Sequence, residues 1–327
     1  MVYAVVVRIT FPENRGRKAV VLKTVSSFTV ESSWQNLTDT AQIVIAKKLF
    51  FEEKGRVFDL IKRGDPVIIE GGYNGEYIKE FQGFVSEILD DMPVVLKCED
   101  NMYILKRTTV NKAFPIMKLG SFLKSVVPAQ FKINAMDEEI PAKVWSRMTV
   151  AQILNYMKDT YNVYSYFVGD TLVSGKIYTD NPNTEIVKYS LFGANCNVIK
   201  NDLKYIRKED IQLQIMMKHL DVAGKIIHVL VGDNEGETQT FFTSTANVEQ
   251  MKIEGKKILD TLKIDGYNGN ITGFAIPFVK HGYTANILNK EYPEREGSYY
   301  VNAVTTTFEN AGAYHRMIKL GKSATKQ

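Results

Sequence analysis

The sequence predicts a mainly β chain with a mixed α/β middle, an α+β arrangement in which strand-dominated blocks cover residues 1–105 and 186–327 and a partly helical section fills 106–185. Three observations carry that expectation. Near both ends apolar residues alternate with polar ones at period two, as in antiparallel strands with one wet face. Spacings of three and four appear in the middle and again near 247–262. Gly, Asn, Asp and Pro punctuate the chain between these runs.

The first strand alternates Val5, Val7 and Ile9 with Val6, Arg8 and Thr10. Phe28, Val30 and Ser32 then alternate with Thr29, Glu31 and Ser33, and Ala41, Ile43 and Ile45 with Thr40, Gln42 and Val44. Between Val67-Ile68-Ile69 and Tyr77-Ile78, Asn74-Gly75 supplies the positive-φ pair of a tight hairpin. The return strand loses its alternation near Gly83, which predicts a bulge or bend. Val94, Leu96 and Cys98 form one face of a further strand.

In the middle, Leu119, Phe122, Leu123 and Val126 share a helical face, and Pro128 ends it. Thr149 to Gln152 reads as a capping box opening a helix with Val150, Ile153, Leu154 and Met157 on one side. Residues 106–160 carry 9 basic and 4 acidic side chains, the most basic stretch of the chain. Strands are expected at 164–168 and 172–178, joined through Gly169-Asp170, with a turn at Asp180-Asn181-Pro182-Asn183.

Beyond residue 186, Ile211, Leu213, Ile215 and Met217 line one strand face, 226–231 forms the next strand, and Gly232 to Glu237 is a polar turn. Asn247 caps a helix whose apolar side holds Met251, Ile258 and Leu262. Gly255 weakens that helix by about 1 kcal/mol relative to alanine unless a neighbour packs closely on it. The last strands are expected at 271–278, 283–288, 299–308 and 316–320. Gly-Tyr-Asn-Gly occurs at 72–75 and 266–269, a hint that the two end blocks are related.

Lys and Arg number 41 against 37 acidic residues, a net charge of +4 with no concentrated stripe for nucleic acid. No apolar run approaches the ~20 residues that a membrane-spanning helix needs, so membrane insertion is not expected. Cys98 and Cys196 lie in apolar or small-residue stretches and are expected as buried free thiols of a reducing compartment.

The chemistry-bearing residues are sparse. His219, His228, His281 and His315 lack metal-ligand spacing, so no metal or other cofactor is expected. Ser121, Ser174 and Ser298 adjoin glycines without forming a nucleophile elbow. Gly64-Asp65-Pro66 and Gly71-Gly72 sit in hairpin arms rather than before a helix, unlike a phosphate loop. The acid groups Glu52-Glu53, Asp90-Asp91, Glu99-Asp100 and Asp137-Glu138-Glu139 leave a glycosidase open as an alternative, although adjacent acids in a strand face opposite ways. Trp34, after the second alternating strand, reads as a barrel-end plug or an interface anchor.

The stretch from Phe28 through Trp34 and Asp39 to Ala41, then Phe81-Gln-Gly83-Phe84-Val85, then Cys98-Glu-Asp100 through Tyr103 and Leu105 to Arg107, resembles the first tube-like domain of the baseplate hub proteins of contractile phage tails, the late control protein D family. Phe192-Gly193 through Asn195 and Asn197 to Leu203 resembles the entry to that family's second such domain. Gly297, Tyr299, Tyr300, Val301 and Val304, then Phe308, Gly312, Arg316, Ile318, Leu320 and Gly321, resemble its closing strands.

The resemblance implies two related β-barrel-like tube domains, 1–105 and 186–327, around a small mixed region. It further implies a homotrimeric, pseudo-sixfold ring joining the tail-tube ring to a spike around a channel that DNA can traverse. The spike would be a separate polypeptide, since the chain ends soon after Leu320. Baseplate wedge proteins would be further partners, and the particle, a phage tail or a related contractile injection system, would assemble in the bacterial cytoplasm. Lysozyme or peptidase domains of larger relatives have no counterpart here, so a non-enzyme is expected. A hub of a non-contractile tail, or a carbohydrate- or receptor-binding tail protein, remains the alternative.

Overall fold

The period-two runs of the first block, with strands of the last block, join in one 13-stranded sheet. The computed structural model describes residues 4–46, 50–51, 55–56, 60–89, 92–176, 185–193, 195–220, 226–243 and 245–324. Glu52-Glu53, Asp90-Asp91, the turn at 180–183 and residues 177–178 of the expected strand lie outside them.

The first block holds β1 (Val5–Phe11), β2 (Val20–Leu22), β3 (Ser27–Ser33), β4 (Thr40–Ile45), β5 (Pro66–Tyr73), β6 (Glu76–Leu89) and β7 (Val94–Glu99). Val7, Ile9, Ala41, Ile43, Ile45, Leu96 and Cys98 are buried on the faces that alternation assigns them. Asn74 (φ 54°) and Gly75 (φ 88°) make the hairpin turn between β5 and β6. The lost alternation has two sources. The β5–β6 register skips Glu80 and the β6–β7 register skips Ser86, so bulges lie three residues either side of Gly83. A Cβ on Gly83 would lie 2.1 Å from the Glu99 carbonyl oxygen, so glycine lets β6 and the end of β7 approach.

The middle section runs α1 (Met102–Leu105), β8 (Thr109–Phe114), α2 (Leu119–Val126), β9 (Lys132–Ala135), β10 (Lys143–Thr149), α3 (Val150–Tyr161), β11 (Tyr164–Val168) and β12 (Thr171–Gly175). The capping box is complete: Gln152 N donates to Thr149 Oγ1 at 3.2 Å and Thr149 N to Gln152 Oε1 at 2.8 Å. The apolar faces of α2 and α3 share a core with Met102, Leu105 and Leu172.

The last block adds β13 (Ile186–Ser190), β14 (Val198–Asn201), β15 (Leu213–Leu220), β16 (Ile226–Gly232), β17 (Glu237–Phe242), α4 (Val248–Leu262), β18 (Asn270–Phe274), β19 (Thr284–Leu288), β20 (Gly297–Glu309) and β21 (Ala313–Ser323). Helix α4 lies on the three-stranded sheet β16-β15-β17. A Cβ on Gly255 would sit 3.0 Å from Met217 and 3.1 Å from Val231, so close packing offsets its poor helix propensity.

Three expectations are corrected. The strand expected at 271–278 stops at Phe274, ahead of Pro277, which has no N–H to donate. The short closing strand is instead the 11-residue β21, because it pairs along most of β20. Cys196 is exposed, since its short loop runs over the surface, whereas Cys98 is buried. The two Gly-Tyr-Asn-Gly segments differ in structure: the first turns a hairpin, whereas 266–268 pairs with 204–206, and Gly269 (φ 128°) would meet the Asp202 carbonyl oxygen at 2.5 Å if it had a Cβ.

The large sheet runs β14-β18-β21-β20-β3-β4-β7-β6-β5-β1-β2, with β19 on β20 and β13 parallel to β19. Its seam is the antiparallel pairing of β3 with β20, from Ser33 opposite Ala303 to Ser27 opposite Glu309. The end blocks therefore share backbone and core. Ala275, Phe308 and Tyr314 lie in the first block's core, and the Phe308 ring stacks on Phe28 at 5.3 Å.

Candidate functional site

Beside this seam the chain gathers several of its buried polar groups. Alternation along β21 points Tyr314, Arg316, Ile318 and Leu320 inward, which buries a guanidinium completely. A buried cation requires a counter-charge and bonds for its remaining donors. Arg316 Nη2 meets Glu80 Oε1 at 2.5 Å, Nη1 donates to the Pro277 carbonyl at 3.0 Å, and Nε donates to Thr306 Oγ1 at 3.2 Å. Phe278 faces the guanidinium at 4.8 Å. Glu80 is inward because it is the bulged residue of β6. Its carboxylate also accepts from the Tyr314 hydroxyl, while the Tyr73 hydroxyl donates to the Tyr314 carbonyl at 2.7 Å. Burial and the Glu80 charge push the Tyr314 hydroxyl pKa upward.

A second cluster adjoins the first. Asp100 Oδ1 accepts from Met102 N at 2.9 Å, starting α1, while Asp100 N donates to the Asp39 carbonyl at 3.1 Å. Burial, reinforced by the Asp39 charge, holds the Asp100 carboxyl well above the usual carboxylate range. Burial pushes Asp39 up to about 6, against the opposing hydrogen bond from Ser32 and the charge of Lys280. Lys280 is itself lowered by burial, with Asp39 acting against the shift. His281 Nδ1 lies 2.5 Å from Ser32 Oγ, and burial followed by the Lys280 charge lowers its pKa to about 3, so the ring is neutral at pH 7.

Trp34 joins all three blocks. Its ring meets Tyr166 of β11 at 4.8 Å and His281 at 5.3 Å, and it packs with Val173 of β12. Among these groups lies a cavity of about 80 Å³, lined by Asp39, Glu80, Phe81, Asp100, Lys280 and Thr306 among others. That is the volume of two or three waters at about 30 Å³ each, well short of the roughly 300 Å³ of a small-molecule pocket. Its chemistry suits a polar lock between blocks better than substrate turnover. Of the acid groups expected from adjacency, Glu99 pairs with Lys106, Asp137 with Lys118 and Glu138 with Lys176. Among the described residues no three His, Cys, Asp or Glu side chains converge as a metal-binding group, and no helix is long and apolar enough to cross a membrane.

The remaining sequence-marked residues are dispersed. Tyr103 stacks on Phe84 at 5.4 Å, and the Arg107 guanidinium lies 3.4 Å over the Tyr103 ring; Leu105 is fully buried beneath. Asn197 ties β13 to its loop, accepting from Ser190 N and donating to the Lys188 carbonyl, both at 2.9 Å. Gly193 (φ 92°) turns that loop, and Gly312 (φ 99°) turns the β20–β21 hairpin. Gly297 opens β20 beside the Tyr299 ring. Tyr300 of β20 faces two residues, Gly321 and Lys322, at a bulge in β21, while Val301 is buried. Sequence reading passed over Glu80 and Lys280, and weighed His281 only as a metal ligand. The signal for Glu80 was the lost alternation itself, an acid falling in the inward register of β6.

With this geometry in place, no protein-family model matches the chain and no curated protein matches it by sequence. Solved structures do match in shape. The 43 kDa tail protein of prophage MuSo2 from Shewanella oneidensis aligns with TM-score 0.65 at 13% identity, over 98% of both chains. A tail protein from Neisseria meningitidis MC58 aligns with TM-score 0.63 at 14% identity, over 97% of this chain and 96% of that one. An Escherichia coli component of the type VI secretion system, described as structurally similar to the T4 bacteriophage tail proteins gp27 and gp5, aligns with TM-score 0.52 at 9% identity, over 91% and 73%. The fold is thus mainly β and is one that phage tail proteins share.

Proposed function

We propose that the chain is the structural hub of a phage or phage-like tail baseplate. In this reading it forms a homotrimer whose two strand-rich blocks per chain make a pseudo-sixfold ring, connecting the tail tube above to a separate spike below around a channel. The observation that carries the reading is the end-to-end likeness to two tail proteins, which spans both strand-rich blocks and the middle section together. The likeness to a secretion-system component related in shape to gp27 and gp5 supports the same assignment.

Physical features agree with it. Among the described residues, strands β2, β14 and β13 end the large sheet with open edges, which neighbouring subunits would cover in a ring. At the seam the solvent face carries the cross-strand row Thr307, Thr29, Gln42 and Lys97, mostly uncharged polar groups suited to a channel wall that must not grip passing phosphates. The polar lock beside the seam would keep the two blocks of one subunit in fixed register, as a load-transmitting ring requires. The role is structural rather than catalytic, and wedge proteins would pack outside.

Light scattering on the purified chain tests this. The expected mass is three times that of the 37.1 kDa chain. A monomer at high concentration that also fails to bind a trimeric spike would overturn the reading.

A further inference from the structure

The first block ends in a built display of cations. Asp65 is buried and makes four contacts: from Asn14 Nδ2 at 3.0 Å, Lys62 N at 3.1 Å, Arg17 Nη2 at 3.4 Å, and Arg15 Nη1 at 4.0 Å. This carboxylate straps the turn at 12–18 to the turn at 62–65. Arg15 is held at φ 50°, a region that residues other than glycine seldom adopt, and its side chain is 58% exposed. Its guanidinium also donates to the Arg63 carbonyl at 3.4 Å.

Beside it, Arg63, Lys106 and Arg107 line one surface groove with Glu87 and Glu99. Arg107 is fixed on the Tyr103 ring and donates to the Tyr103 carbonyl at 2.8 Å. Lys106 already pairs with Glu99 and Lys97 with Glu87. Among the described residues, Lys62, Arg63 and Arg107 have no carboxylate at ion-pair distance.

We propose that this end of the first block is a docking platform for a carboxylate-rich protein surface. Arg15 and Arg107, already held in place, lose little freedom on binding, and the planar guanidinium forks match carboxylates. A nucleic acid fits less well, because a uniform phosphate backbone would lie over Glu87 and Glu99, whereas a protein can set a cation there and carboxylates over the arginines. The proposal goes beyond the hub reading and does not depend on trimer formation.

The test uses the whole chain and two probes of equal charge, poly-L-glutamate and a duplex DNA, titrated by fluorescence anisotropy at two salt concentrations. Wild type is expected to bind polyglutamate more tightly than DNA, with weakening by salt. Arg15→Glu/Arg63→Glu should lose about tenfold or more in affinity, and Lys62→Gln/Arg63→Gln, whose side chains make little contact, should lose less but in the same direction. Lys256→Glu/Lys257→Glu on the exposed side of α4, with the same change in net charge, should bind as wild type does. Equal losses in both reversed pairs, tighter binding of DNA, or no binding by wild type would each overturn the platform. The mass of each sample reports on the hub reading separately: a monomer that still binds through Arg15 and Arg63 would sink the hub and leave the platform standing.

Discussion

Glu80 and Asp65 are both buried carboxylates in the first block, yet they are matched with cations in opposite ways. Glu80 faces Arg316, which is itself completely buried and belongs to the other end of the chain. Asp65 faces Arg17, Asn14 and backbone from its own block, and leaves neighbouring arginines in water. Burying both partners produces a lock between blocks, because neither charge can be exposed without the other. Burying Asp65 with the mostly covered Arg17, while Arg15 stays 58% exposed, produces a rigid surface that presents positive charge. The location of the cation, rather than the presence of an ion pair, separates the structural site from the one suited to recognition.

The largest expected effect falls on the lock. Arg316→Met should destabilise the protein by about 3–5 kcal/mol in urea unfolding, since it leaves the buried Glu80 without its counter-charge. Adding Glu80→Gln should recover part of that loss; equal losses in single and double variants would show that the pair does not act as a unit. Asp65→Asn should cost about 1–3 kcal/mol by weakening charge-assisted bonds. Its hydrogen-exchange protection should fall at 12–18 and 62–65 and stay unchanged in β20 and β21.

Asp39 probes the lock through pH. With a folded-state pKa raised to about 6 from an ordinary value near ~3.9, it contributes stability that is complete below that ordinary value and is lost as pH rises through the folded value. Asp39→Asn should therefore gain on wild type in Tm between pH 4 and pH 7. His281 acts in the other sense, its contribution complete above about 6.5 and lost as pH falls through about 3. Present in both proteins, it cancels in the difference. A pH-independent difference would contradict the raised pKa of Asp39. The smallest effect belongs to the platform: Lys62→Gln/Arg63→Gln should change stability by no more than about 0.5 kcal/mol, because both side chains are exposed.

Much of the framework was legible because it rests on local rules. The Asn74-Gly75 hairpin, the Thr149 capping box and the alternation of β1 and β4 each follow from a few adjacent residues. The seam was not, because the pairing of β3 with β20 joins residues about 270 positions apart, and nothing local announces a strand's partner. The lock was hidden for the same reason. Arg316 and Glu80 come from blocks at opposite ends of the chain, and Asp39 meets Asp100 only through the fold. Motif likeness marked Asp100, Trp34 and Arg316 as worth watching, but contact geometry supplied their partners.

The central claim is a threefold hub built from doubled blocks, and electron-microscope class averages of the purified chain viewed down the particle axis test it most directly. A ring of six similar lobes with threefold symmetry around an open centre is expected; a solid particle, or a ring whose symmetry is not threefold, would contradict it.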